Sequence, residues 1–314
     1  MFKSIRHSLS DRMLGDNILL RHIVSRHHGI KARLLKLWLW PVNDSVSLDE
    51  TLKRCTLTAD EGYYRRLHGL LHISGAEGYP IVRIGRENDG GYVMLDDFPG
   101  GVAYSFGIAG DVSWDRDMAS RGYDLFMYDH TIDGLPEENP RFHWEKLGIA
   151  DGRTHDDRLK TLEELISRNG HEGKRNMILK MDVEGAEWGF LEAVSSGTLS
   201  QFSQIVFEFH DMTSPEDEDA VLDALRKLNA THQLIHLHAN NFGNYVVSGG
   251  KNFASVLEAS YVLRKKYMLE EIDDVILPLD IDSPNDKYYP EIELGRWNSE
   301  FVPSGKITSV VRVI

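Results

Sequence analysis

The chain has 314 residues, 41% of them hydrophobic and 27% charged, with a formal net charge of −14 at neutral pH. That suits a globular protein with one large domain and an extension, or two domains, and it argues against general nucleic-acid binding, which depends on Lys and Arg meeting phosphates. A single cysteine, Cys55, excludes an intrachain disulfide framework and fits a reducing compartment. No apolar run reaches the ~20 residues of a membrane span, and residues 1–11 lack an apolar signal core, so a cytoplasmic location is expected.

Residues 1–78 are expected to form a helical extension without a clear strand. Leu14, Ile18, Leu19, Ile23 and Val24 recur at helical spacing, and the cluster from Leu34 to Trp40 is stopped by Pro41. Residues 1–40 hold eight Lys/Arg against two Asp, which leaves about −20 on the remainder. Such a segment packs on the main domain or on a second subunit of a homo-oligomer. The alternative is peripheral contact of its basic helices with a membrane surface.

Two β-rich runs, Ile81 to Ile84 and Tyr92 to Leu95, flank Asn88-Asp89-Gly90-Gly91 and predict a hairpin. From Gly101 the pattern changes to strand–helix units. Val102 to Phe106 is a strand, followed by the turn Gly107 to Asp111 and a helix with Ser113 as its N-cap. Tyr123 to Tyr128 is a second strand, closed by Asp129. A glycine turn after one strand and an acid after the next stand where a nucleotide-like ligand would meet them, yet Gly107-x-x-Gly110 lacks the third glycine of a dinucleotide fingerprint.

Arg141 to Ile149 predicts a third strand, ending at Ala150-Asp151, then a helix carrying Leu159, Leu162, Leu165 and Ile166. Ile178 to Asp182 is a fourth strand, with Glu184 and Glu187 after it and a helix through Trp188, Leu191 and Val194. Gln204 to Phe209 is a fifth, and Ser214-Pro215 then opens a helix with Val221, Leu222, Leu225 and Leu228 on one face. Gln233 to Leu237 begins a sixth, rich in histidine and asparagine at its end, and Val256 to Leu263 is a seventh. Alternation of this kind predicts a Rossmann-like α/β sheet covered on both faces. Residues 271–314 read as an irregular tail that covers the crevice.

The segments S-F-G-I-A-G-D (105–111), M-Y-D-H-T (127–131), L-K-M-D-V-E-G-A-E-W (179–188) and V-L-E-A-S-Y-V (256–262) together resemble the FkbM family of S-adenosylmethionine-dependent methyltransferases. The resemblance implies a seven-stranded methyltransferase sheet, mostly parallel with one antiparallel strand, over residues 79–270 and including the leading hairpin. It implies S-adenosyl-L-methionine as cofactor, held by Ser105, Gly107, Ala109, Gly110, Asp111, Asp129, His130, Ala150, Asp151 and Asp182. Asp129 would take the ribose hydroxyls, and Ala150 and Asp151 would lie beside the adenine.

A sugar hydroxyl is a poor nucleophile and needs a general base, a metal that acidifies it, or both. Asp182 ends the fourth strand, Glu208 and His210 the fifth, and His236 or His238 the sixth, ends expected to be neighbours. The expectation is that Asp182, Glu208 and His238 ligate Mg²⁺ or Mn²⁺ and that His210 is the base, though the two histidines can exchange roles. Lys180 shares the face of Asp182 and either orients it or neutralises the acidic cluster, Glu184 is a second candidate at the crevice, and Glu187 is set aside as a carboxylate favoured by the helix dipole. The function expected is O-methylation of a sugar or glycan-type acceptor, with Tyr288, Tyr289 and Trp297 stacking on sugar rings. A dinucleotide-dependent oxidoreductase and a non-catalytic scaffolding module are the alternatives.

Overall fold

Strand and helix alternate through the computed structural model, which describes residues 54–58, 61–151, 156–273 and 275–302. A hairpin of β1 (Ile81–Ile84) and β2 (Tyr92–Leu95) precedes β3 (Gly101–Phe106), β4 (Tyr123–Tyr128), β5 (Phe142–Glu145), β6 (Met177–Met181), β7 (Phe202–Phe209), β8 (His232–Ala239) and β9 (Leu257–Leu263). The helices used below are α1 (Gly62–Leu70), α2 (Ser113–Ser120), α3 (Leu162–Arg168), α4 (Glu187–Ala193) and α5 (Glu218–Asn229). Strands β3 to β9 form one sheet in the order β8-β9-β7-β6-β3-β4-β5. All its neighbouring strands are parallel except β9, which runs antiparallel to both β7 and β8. This is the seven-stranded sheet with one antiparallel member that the sequence implies.

Every residue of β6, β7 and β8 is buried, as in a sheet covered on both faces. On one face Leu67 of α1, Leu165 of α3, Leu191 of α4 and Leu225 of α5 pack with Leu179 and Phe207. On the other, Tyr92 and Met94 of the hairpin and Trp114 and Met118 of α2 pack with Ala103, Ile178 and Val206. Because strand side chains alternate, Lys180 and Asp182 follow Ile178 onto the hairpin face, and Glu208 and His210 follow Val206. The period of the strand thus decides which polar groups meet.

Several boundaries move. The third strand breaks in two: β5 joins the main sheet, while Gly148–Ile149 pairs with Leu159–Lys160. Leu159 therefore leaves α3, which Thr161 caps through a reciprocal box with Glu164. Ser113 opens α2 instead of capping it, since its hydroxyl donates to Asp111 and Val112 is the N-cap. Helix α5 starts after Ser214-Pro215, where Asp217 supplies the side-chain acceptor.

Of the expected N-terminal extension, the basic stretch 1–40 and the Trp38–Trp40 cluster lie outside the described residues. The described part corrects the expectation of a segment without strands. Cys55–Leu57 pairs parallel with Tyr245–Val247, and Ser74–Ala76 pairs antiparallel with Leu269–Glu271. Three-residue strands are too short to show alternation, and their partners are remote in sequence. Among the described residues no helix is long and apolar enough to cross a membrane.

Candidate active site

The sheet reverses its order of succession between β3 and β6, and in open α/β sheets the crevice beyond such a point is where ligands sit. Gly107, the first residue after β3, has φ +74°, and a Cβ there would lie 1.5 Å from the main-chain oxygen of Asp182. Only glycine lets the turn pass this close to the end of β6. Asp129, at the end of β4, holds the turn: its Oδ2 accepts from the main-chain N–H groups of Ile108 and Ala109, both at 2.9 Å. Its Oδ1 accepts from the N–H of Thr131 at 2.8 Å and the hydroxyl at 2.6 Å. Burial opposes the Asp129 charge, but these bonds from Thr131, Ala109 and Ile108 outweigh it and hold the carboxyl below its usual range.

The tip of the turn, Ala109 and Gly110, is exposed, and a Cβ on Gly110 would meet nothing within 4 Å. Asp111 is tied outward by Arg86 at 3.0 Å. His130 lies against Gly148 and Asp151 against Gly189, each so near that a Cβ on the glycine would fall 2.5 Å and 2.7 Å away. These two contacts draw the Ala150–Asp151 segment between the end of β4 and helix α4. The open cradle above the turn, bounded by these groups, fits a nucleoside-bearing cofactor.

Lys180 clamps the turn from below. Its Nζ donates to the Gly107 oxygen at 2.9 Å, lies 3.7 Å from Asp182 Oδ2 and sits 5.4 Å over the Tyr92 ring. Ser105 is its direct neighbour on β3. Burial pushes the nearby Asp115 carboxyl up to about 6, against the pull of Lys180 and Ser105.

The other side of the crevice is a row across four strand ends. His238 on β8 is paired with Glu258 on β9, Glu258 with Glu208 on β7, and Asp182 follows β6 beside them. Ligand atoms of Asp182, Glu208 and His210 all lie within 4.8 Å of one another. Asp182 Oδ2 accepts from the Tyr92 hydroxyl at 2.9 Å, and Glu208 Oε1 accepts from Asn240 at 3.2 Å. Glu208 Oε2 is buried without a hydrogen-bond partner, and burial raises this carboxyl to about 8. Burial works against charge on His210, but hydrogen bonds with Glu187 and Glu208 push its imidazole up to about 11.

Residues 127–235 match the family described as the methyltransferase FkbM domain. This stretch is a methyltransferase FkbM domain. It carries Asp129, Asp151, Asp182, Glu208 and His210 and reaches into β8. Among solved structures, the chain is similar to one titled "Putative hemolysin from Streptococcus thermophilus", with 11% identity and a TM-score of 0.28 over 60% of this chain and 62% of that one. It is also similar to a SAM-dependent methyltransferase from Agrobacterium tumefaciens, with 12% identity and a TM-score of 0.28 over 53% and 56%. The chain thus covers less than two thirds of either structure. No curated protein matches it.

The sheet does not bring all the expected ligands together. The sixth strand was expected beside the fifth, but antiparallel β9 lies between β7 and β8 and puts Glu258 between Glu208 and His238. His238 is buried with Glu258 on Nδ1 at 3.1 Å and Glu291 on Nε2 at 3.3 Å, and His210 takes the place beside Asp182 and Glu208. His236 faces Asp282 at 3.1 Å. Glu184 is exposed, with Oε2 3.5 Å from His210 Nε2.

Residues outside the FkbM domain complete the crevice, and sequence reasoning missed most of them. Tyr92 comes from the hairpin, and Glu258 from β9. Asn285, in the tail, donates to Glu258 at 2.6 Å. Asn241 binds the main chain of Asp286 and Tyr289, and Asn88 binds Ser283 and Pro284, so hairpin turn and tail close over the row. Tyr288 and Phe242 stand exposed at this rim, but Trp297 is fully buried, with its indole N–H on Leu71, and is not available to a sugar. Four non-glycine residues of positive φ, namely Asn88, Ala109, Glu184 and Asp211, lie in the loops around the crevice. Strain of this kind persists where the surrounding structure fixes it and often marks function.

Proposed function

We propose that the protein is an S-adenosylmethionine-dependent O-methyltransferase acting on a hydroxyl of a sugar or glycan-type acceptor with the help of a divalent cation. The observation that carries this reading is the convergence of Asp182, Glu208 and His210, with one Glu208 oxygen buried and unpartnered, beside the glycine cradle of an FkbM domain. Two carboxylates and an imidazole suit Mg²⁺ or Mn²⁺. The cofactor would supply an electrophilic methyl group, and the cation would acidify the acceptor hydroxyl.

The chain's own residues do the rest. The Gly107–Asp111 turn, Asp129, His130, Ala150 and Asp151 hold the cofactor; Lys180 fixes the turn against Asp182. Phe242, Tyr288 and Tyr289 offer ring faces at the mouth, and the acidic row disfavours polyanionic acceptors. Residues 271–302 then serve as the cover of the acceptor side, and residues 1–78 as a packing, oligomerising or membrane-surface element.

The test is calorimetry with S-adenosylhomocysteine and with NAD, followed by methyl transfer to nucleotide-linked sugars and glycans with and without added Mg²⁺ or Mn²⁺. Binding of S-adenosylhomocysteine alone is expected, with activity lost in chelator and restored by the cation. Binding of NAD instead would favour the oxidoreductase. Full activity in chelator would remove the cation from the reading.

A further inference from the structure

We propose that Glu187 is the positioning residue of the acceptor site, fixing which nitrogen of His210 faces the crevice. This rests on the assignment of His210 to that site. Glu187 has the sequence signature of an ordinary dipole-complementing carboxylate at a helix start, but its surroundings are not ordinary. It is the first residue of α4 and fully buried, and its carboxylate turns back over the loop before the helix. Oε1 accepts from the N–H of Val183 at 3.0 Å, and Oε2 accepts from the N–H of Gly185 at 3.0 Å. These bonds pair two main-chain donors of the loop before the helix.

A carboxylate needed only for that would have no side-chain partner, yet Glu187 Oε1 also lies 3.0 Å from His210 Nδ1. Held by two main-chain donors in a dry site, it cannot swing away from the ring. The next residue anchors the same histidine from the other end: Trp188 Nε1 donates to the His210 main-chain oxygen at 2.9 Å. One turn of helix therefore fixes both backbone and ring. With Nδ1–H donated to Glu187, Nε2 is directed at Glu208 Oε1 at 3.4 Å and Glu184 Oε2 at 3.5 Å. A carboxylate behind an imidazole holds the ring's orientation in this way, and loss of such a partner typically costs ~10–100-fold in affinity or activity.

The test uses the full chain with ¹⁵N-labelled histidine, comparing wild type, Glu187→Gln and Glu187→Ala by long-range ¹H–¹⁵N correlation, with His210 assigned from His210→Asn. In wild type a hydrogen-bonded proton on His210 Nδ1 is expected. It should weaken in Glu187→Gln and disappear in Glu187→Ala, while kcat for methyl transfer falls 10–100-fold and affinity for S-adenosylhomocysteine stays within about twofold. An unprotonated Nδ1 in wild type overturns the proposal without recourse to any variant. So does an Nδ1–H signal that survives in Glu187→Ala. If the signal behaves as expected while the wild type transfers methyl to no acceptor, the positioning role stands and the functional reading falls.

Discussion

Gly107 is the residue at which the crevice tolerates least change. Its positive φ and the 1.5 Å approach of the Asp182 oxygen to any Cβ mean that even alanine must displace the turn or the end of β6. Gly107→Ala is expected to weaken S-adenosylhomocysteine binding at least tenfold and to cost ~2 kcal/mol or more of stability, read by calorimetry and denaturant unfolding. Unchanged affinity would mean that the turn does not face the cofactor. Asp129 has a duty beside the one the resemblance implies: its oxygens accept from four donors of its own chain. The acid at the end of a strand was legible; that it also knits the glycine turn to Thr131 was not, because those donors are main-chain groups with no signature in side-chain type. Glu187 shows the same limit, since a dipole-complementing acid and a buried histidine partner look alike in sequence.

The hairpin and the tail are the elements that convert an open sheet edge into an enclosed site. Asn241 alone receives the N–H of Asp286 and donates to the oxygens of Asp286 and Tyr289. Asn241→Ala is expected to free residues 282–291 for faster hydrogen exchange and to raise the KM for acceptor several-fold, with cofactor affinity unaltered. An exchange rate equal to wild type would show that the other tethers, at His236, His238 and Asn88, suffice. The hairpin, β3, β4 and β6 could be read from sequence because each carries its own alternation and turn residues. The splitting of the third strand, the cap of α3 and the strand at Cys55–Leu57 could not, because they depend on partners far along the chain.

At the scale of the whole molecule, the sheet buries a histidine that the fold keeps neutral. His232 is inaccessible, with Nε2 on the Phe202 oxygen at 3.1 Å, and burial, with Arg264 nearby, lowers its pKa to about 4 despite that bond. The unfolded chain takes up this proton near pH 6.5 and the fold refuses it until about 4, so stability present above pH 6.5 is lost as pH falls through that window, by about 3 kcal/mol. His232→Gln retains a donor towards Phe202 and has no proton to take up. Its denaturation midpoint should fall less steeply between pH 6.5 and 4 than that of wild type; parallel slopes would assign the loss to other groups.

The sheet class was legible from the alternation of strands and helices, but the neighbours of each strand end were not, and the separation of His238 from Glu208 by Glu258 follows from that. The antiparallel course of β9 has a further consequence for how the molecule comes into being. Since β9 lies between β7 and β8 and is translated after both, those two strands emerge from the ribosome with a gap that nothing yet fills. The glycine turn, Asp129 and Asp182 can assemble early, whereas Glu258 and Asn285 arrive only near the end of synthesis. On the proposed function, the cofactor side of the crevice would thus form in a nascent chain well before the acceptor side is enclosed.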